Sequence, residues 1–190
     1  MTHSDARFNR TIERVSAEAF WLYTYQKAIY GLCVDSIGLD FFQVSLNALK
    51  DARLIRLIRI LEDDPQTASF WYLYKCNEKL LKKIAKVRDF DLIWTKEISD
   101  KFLGIRNKTF VHIDKDGVFD PQKFYDEAAI THNDVDKVIM GLWKVMQALH
   151  LEVLGKEIQG DNYIGDDIKH LAELRDKELQ MNSFNPDAKY

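Results

Sequence analysis

Lys101 to Asp114, KFLGIRNKTFVHID, sets an apolar stripe (Phe102, Ile105, Phe110, Ile113) against a polar set (Arg106, Asn107, Lys108, Thr109, His112, Asp114) at roughly helical spacing. Such a segment reads as a helix with one face packed and the other available. On an unbroken helix the six positions from Arg106 to His112 amount to about 9 Å of rise and about 120° of rotation, so the two can flank one groove without forming a single stripe. Arginine is a fixed positive fork suited to phosphate oxygens, and histidine moves protons in both directions near neutral pH. With 9 arginines and 5 histidines in 190 residues, an Arg and a His separated by four to six residues arise about 0.7 times by chance. The weight therefore falls on the setting.

Upstream, a long helical pattern runs from Phe8 to Ile37, with Ile12, Val15, Ala19, Leu22, Ile29 and Leu32 among its apolar positions and a turn at Ile37 to Asp40. Its aromatic cluster (Phe20, Trp21, Tyr23, Tyr25, Tyr30) could stack bases, but helical spacing favours core or dimer interface. A second helix, Phe42 to Leu61, is apolar round most of its circumference and is expected to be the most buried. Arg53, Arg56 and Arg59 recur on its remaining face, a pattern typical of a solvated, partly salt-bridged surface and alternatively a contact to RNA phosphate. Asp64-Pro65 ends this helix, and Thr67 is the expected N-cap of a third from Ala68 to about Val87, with Leu73, Cys76, Leu80, Ile84 and Val87 facing the core. Beside that stripe Lys79, Lys82, Lys83 and Lys86 form the densest basic strip in the chain. An ordinary solvent face is the commoner meaning; sequence-independent phosphate contact is the functional one.

Asp89-Phe90-Asp91 starts the helix that leads into the opening segment, where Gly104 marks a kink or a close approach by a partner helix. A turn at Asp114 to Gly117 follows; its DxDG string lacks the third ligand and closing Glu of a calcium loop. Thr131 to Asp134 offers N-caps for an amphipathic helix reaching Leu154, in which Val135, Val138, Ile139, Leu142, Val145, Met146 and Leu149 face the core and Trp143 and His150 serve packing. Gly155 and Gly160 break the pattern before a short, polar last helix marked by Ile164, Ile168, Leu171 and Leu174.

The chain is thus expected to be all-α, an up-and-down bundle of about five to six helices over residues 1–154, with an appended helix at 155–180 and a disordered tail at 181–190. Charged residues at 30% and hydrophobic ones at 46%, with only 8 Gly and 3 Pro, exclude a disordered chain and argue against a strand-rich sandwich. No run of about 18 uncharged apolar residues is present and MTHSDARFNR lacks a signal-peptide core, which implies a cytoplasmic protein with no membrane partner. Cys33 and Cys76 read as buried thiols, and no metal or cofactor is expected. A net charge of −3 offers no global basic field, so RNA affinity would need a local patch.

Arg106-Asn107, followed after four more residues by His112, resembles the Arg-x(4 to 6)-His signature of HEPN domains, the helical domains of many prokaryotic RNase toxins and abortive-infection proteins. The segment ALKDARLIRLIRILEDDPQTASFWYL, Ala48 to Leu73, is similar to the abortive-infection U-like branch, and the resemblance spans roughly Arg10 to Leu151. It implies metal-independent cleavage of RNA, tRNA being one possible substrate, by 2′-OH attack on the adjacent phosphate, giving 2′,3′-cyclic phosphate and 5′-OH ends. His112 would act as general base or acid, Arg106 would stabilise transition-state charge and Asn107 would orient phosphate or the histidine. One His cannot easily be base and acid at once, and a homodimer bringing two motifs to one cleft resolves this. Lys108, Thr109, Asp114 and the lysine strip are weaker candidates for substrate contact. In some HEPN toxins a Tyr two residues after the His is modified by a nucleotidyltransferase antitoxin; here Asp114 stands there, which puts that route in doubt. The alternative is a catalytically silent HEPN-like dimer that binds a nucleotide, RNA or protein. A di-metal bundle would need paired Glu-x-x-His motifs, and Asp167-x-x-His170 is the nearest match.

Overall fold

Every regular element in the computed structural model, which describes residues 3–32, 41–106, 126–158 and 163–183, is helical. The helices are α1 (His3–Gly31), α2 (Phe41–Ile60), α3 (Phe70–Cys76), α4 (Glu78–Val87), α5 (Leu92–Ile105), α6 (His132–Leu154) and α7 (Asp166–Ser183). They belong to two compact units, Met1–Tyr23 with Leu54–Gly160, and Thr24–Arg53 with Asp161–Tyr190, so that α1 and α2 each contribute to both. No helix among the described residues is long and apolar enough to cross a membrane. The expected turn at Ile37 to Asp40, Cys33 and the residues after Ser183 lie outside the described residues.

In the larger unit the core is built on α6, where Val138, Leu142, Val145, Met146 and Leu149 are wholly buried. The helix starts where expected: Thr131 Oγ1 accepts from the Asp134 amide and the Asp134 carboxylate accepts from the Thr131 amide, a reciprocal capping box. It ends at Gly155, in the left-handed conformation at φ 66°. Around it pack Ile12, Val15, Ala19 and Leu22 of α1, Leu57, Ile58 and Ile60 of α2, and the buried faces of α3, α4 and α5.

The expected single helix from Ala68 to Val87 is two helices. Ser69, not Thr67, caps α3 by accepting from the Tyr72 amide at 3.3 Å, and Asn77 breaks the run. The Asn77 side chain accepts from the Leu80 amide at 3.2 Å while its own amide donates to Leu73 O, so one residue closes α3 and opens α4. Leu81, Ile84 and Ala85 are buried and Leu80, partly buried, packs against the core as expected, whereas Val87 is 73% exposed. Cys76, expected to be a buried thiol, is exposed at the last residue of α3.

The smaller unit has its own core of Ile29, Leu32 and Leu46, with Phe42, Leu49 and Ile168 against it. The end of α1 and the start of α7 meet at two glycines. A Cβ on Gly31 would lie 2.7 Å from Gly165 O, and one on Gly165, at φ 83°, would lie 2.8 Å from Lys27 O. Arg53 is buried in this unit and donates to Gln26 Oε1 at 2.6 Å. α2 is not the most buried helix: Phe41, Val44 and Ile55 are 77%, 53% and 42% exposed. Each half of α2 packs into its own unit's core, and neither half buries more than one face. α7, at 18 residues, is longer than the short helix expected.

Candidate functional site

Helix α5 carries Arg106 to its position. Asp91 opens the helix by accepting from the Ile93 and Trp94 amides at 2.9 and 3.0 Å. Ile98, Phe102 and Ile105 then bury one face of α5, which fixes the helix rotation and directs the residue that follows. Arg106 is that residue, the C-cap, and its Nη1 donates to Glu62 Oε1. Ser99 secures the same region from within: its hydroxyl donates to Leu61 O at 2.7 Å and accepts from Trp71 Nε1 at 3.3 Å.

Glu62 stands in the loop between α2 and α3, and that loop is held by its own acidic residues. Lys75 and Lys96 both pair with Asp63. The Lys75 hydrogen bond holds the Asp63 carboxyl below its ordinary range, with Lys96 adding to the effect. Asp64 Oδ1 accepts from the Gln66 amide at 2.7 Å and Thr67 Oγ1 donates to Asp64 O at 2.9 Å, which closes the turn. Thr67 was expected to cap a helix; it braces this loop instead.

Beside the loop is a cavity of about 240 Å³, lined by Arg14, Val15 and Glu18 of α1, Arg59 and Ile60 of α2, and Glu62, Thr67 and Ala68. Arg14 pairs with Glu18 at 2.9 Å, and Arg56 reaches the other oxygen of the same carboxylate. Both carboxylates of the cavity are therefore engaged, Glu18 by two arginines and Glu62 by Arg106. Arg59 is exposed and has no ion-pair partner among the described residues. The wall itself carries two guanidinium groups, Arg14 and Arg59, and two carboxylates, Glu18 and Glu62, and Arg56 and Arg106 reach those carboxylates from beside it. A guanidinium on such a wall can hold an anion by bidentate hydrogen bonds.

The expected solvated arginine row is thus a set of three different environments: Arg53 buried on Gln26, Arg56 paired with Glu18, and Arg59 open to the cavity. Arg14, Glu18 and Glu62 were not singled out from the sequence. The i, i+4 spacing of Arg14 and Glu18 on α1 was the available signal for the first pair. Asn107, Lys108, Thr109, His112 and Asp114 lie outside the described residues.

The lysine strip occupies the exposed face of α4, as expected, but part of it is engaged. Lys82 pairs with Glu78 at 2.6 Å and Lys83 with Glu152 of α6 at 2.9 Å. The strip therefore borders α6, whereas Arg106 borders the end of α2. Among the aromatics, Tyr23 stacks on Trp143 at 5.4 Å and Phe20 lies against the same ring at 6.0 Å, so these faces cover one another rather than forming an open platform. His150 is 6% exposed, with Nδ1 2.8 Å from Lys156 O, in keeping with a packing role.

No family model, curated protein or solved structure matches the chain.

Proposed function

We propose that this chain is a HEPN-like, metal-independent endoribonuclease of an abortive-infection or toxin–antitoxin system, acting as a cytoplasmic homodimer with Arg106 and His112 as its catalytic pair. The observation that carries the proposal is the setting of Arg106: the arginine of the Arg-x-x-x-x-x-His motif ends a well-packed helix and is paired with Glu62, which also lines a cavity shared with Arg14 and Arg59. The all-helical architecture is in keeping with it.

In the proposed reaction His112 takes the proton from the ribose 2′-OH, the 2′ oxygen attacks phosphorus, and the 5′ oxygen leaves with a proton supplied by the histidine of the second subunit. Arg106 stabilises the charge that grows on the non-bridging oxygens, and Glu62 sets the plane of its fork beforehand. Asn107 orients the phosphate or the imidazole. The test is RNA cleavage by wild type, Arg106→Ala and His112→Ala, with the oligomeric state of each followed by light scattering. Loss of cleavage in both variants with the dimer retained supports the assignment; full activity in either removes that residue from it.

A second reading draws on the same contact. An arginine already engaged by a carboxylate can be a helix-end clamp rather than a phosphate ligand, which suits a silent module that binds a nucleotide, RNA or protein. Under it, Arg106→Ala lowers the melting temperature and the wild type cleaves no RNA.

A further inference from the structure

We infer that the cavity between α1 and the α2 end is a subsite for a backbone phosphate of RNA, with Arg59 as its principal contact. The inference rests on the nuclease reading for the identity of the polymer; the anion-binding property rests on the cavity alone. Arg59 lines the cavity, is exposed, and lacks an ion-pair partner among the described residues, whereas the two glutamates beside it are already engaged by Arg14, Arg56 and Arg106. A ligand entering the cavity therefore meets an available guanidinium and two neutralised carboxylates. Ala68, exposed at the wall, gives it apolar surface suited to a sugar.

Size narrows the ligand. About 240 Å³ lies below the roughly 300–1,000 Å³ of pockets that enclose a drug-sized molecule. A phosphate with an adjoining ribose fits such a volume, and the base of a nucleotide would extend beyond it. Glu62 lines this cavity and accepts from Arg106, so in the inferred complex a strand that reaches Arg106 passes the cavity. Arg59 is then a binding residue that selects polymer over mononucleotide.

The test is fluorescence anisotropy with a 2′-O-methyl oligonucleotide, which blocks the attacking hydroxyl and separates binding from cleavage, on wild type, Arg59→Ala and Arg59→Lys. Arg59→Ala is expected to bind about tenfold more weakly, as befits loss of a charge-assisted hydrogen bond. The slope of log K against log salt should fall by about 0.7 in that variant and stay near the wild-type slope in Arg59→Lys. 5′-AMP should compete only weakly. Equal affinity and slope in wild type and Arg59→Ala overturns the inference, as does Arg59-dependent binding of 5′-AMP without binding of the oligonucleotide. Arg59-dependent binding by a wild-type protein that cuts no RNA would refute the nuclease reading and leave the subsite standing. Cleavage indifferent to Arg59 would do the reverse.

Discussion

Replacing two glycines by alanine should shift stability in opposite directions. Gly104 in α5 has no described atom within 4 Å of where a Cβ would lie, whereas a Cβ on Gly141 in α6 would overlap the Phe90 ring. In a helix interior alanine is favoured over glycine by about 0.8–1.0 kcal/mol, so Gly104→Ala should gain up to about 1 kcal/mol. At Gly141 the same gain is opposed by overpacking, which costs about 1–3 kcal/mol. Phe90 cannot retreat easily. It is 8% exposed, its ring meets Phe70 edge-on at 5.9 Å, and its amide is tied to Ala85 O at 2.9 Å after the positive-φ residue Asp89. Gly141→Ala should therefore lose up to about 2 kcal/mol. For a chain of this length 1 kcal/mol corresponds to about 2–4 °C in Tm, which thermal melts followed by far-UV circular dichroism resolve. Stabilisation of both variants would refute the packing argument at Phe90. Destabilisation by Gly104→Ala would instead restore the close partner approach that the sequence suggests at that glycine.

Asn77→Ala should cost about 1 kcal/mol in urea unfolding, because its side chain opens α4. Asp63 makes stability fall on acidification: its folded carboxyl is depressed, so its contribution is present at neutral pH and is lost as pH drops below the ordinary value of 3.8, and Asp63→Asn should flatten that part of the pH profile. Glu62→Gln should lower kcat for RNA cleavage more than it changes KM, since it leaves the phosphate-binding groups in place but releases the fork of Arg106. If the lysine strip contacts RNA, Lys79→Glu with Lys86→Glu weakens binding uniformly across sequences in a salt-titrated anisotropy assay, and unaltered binding assigns α4 to solvent.

Much of the helical framework is legible in the sequence where local signals agree. In α6 the cap residues Thr131 and Asp134, the apolar register from Val135 to Leu149 and the closing Gly155 all point the same way, and the structure follows them. The α3–α4 break is not legible, because an asparagine inside a continuous apolar pattern costs little as a helix residue and reveals its capping role only when Leu80 is seen beneath it. The arginines of α2 fail for another reason: their partners, Gln26 and Glu18, lie 27 and 38 residues away, and periodicity on one helix says nothing about a facing helix. At the site, the motif draws attention to Arg106 but says nothing of its partner. Glu62 is not legible there, since its ion pair with Arg106 spans 44 positions.

The central claim is most directly tested by incubating purified protein with total RNA and tRNA in EDTA and analysing the product ends. The account predicts 2′,3′-cyclic phosphate and 5′-OH termini from wild type and none from His112→Ala. Intact RNA after incubation with a folded wild-type dimer, or products with 3′-OH and 5′-phosphate ends, would contradict it.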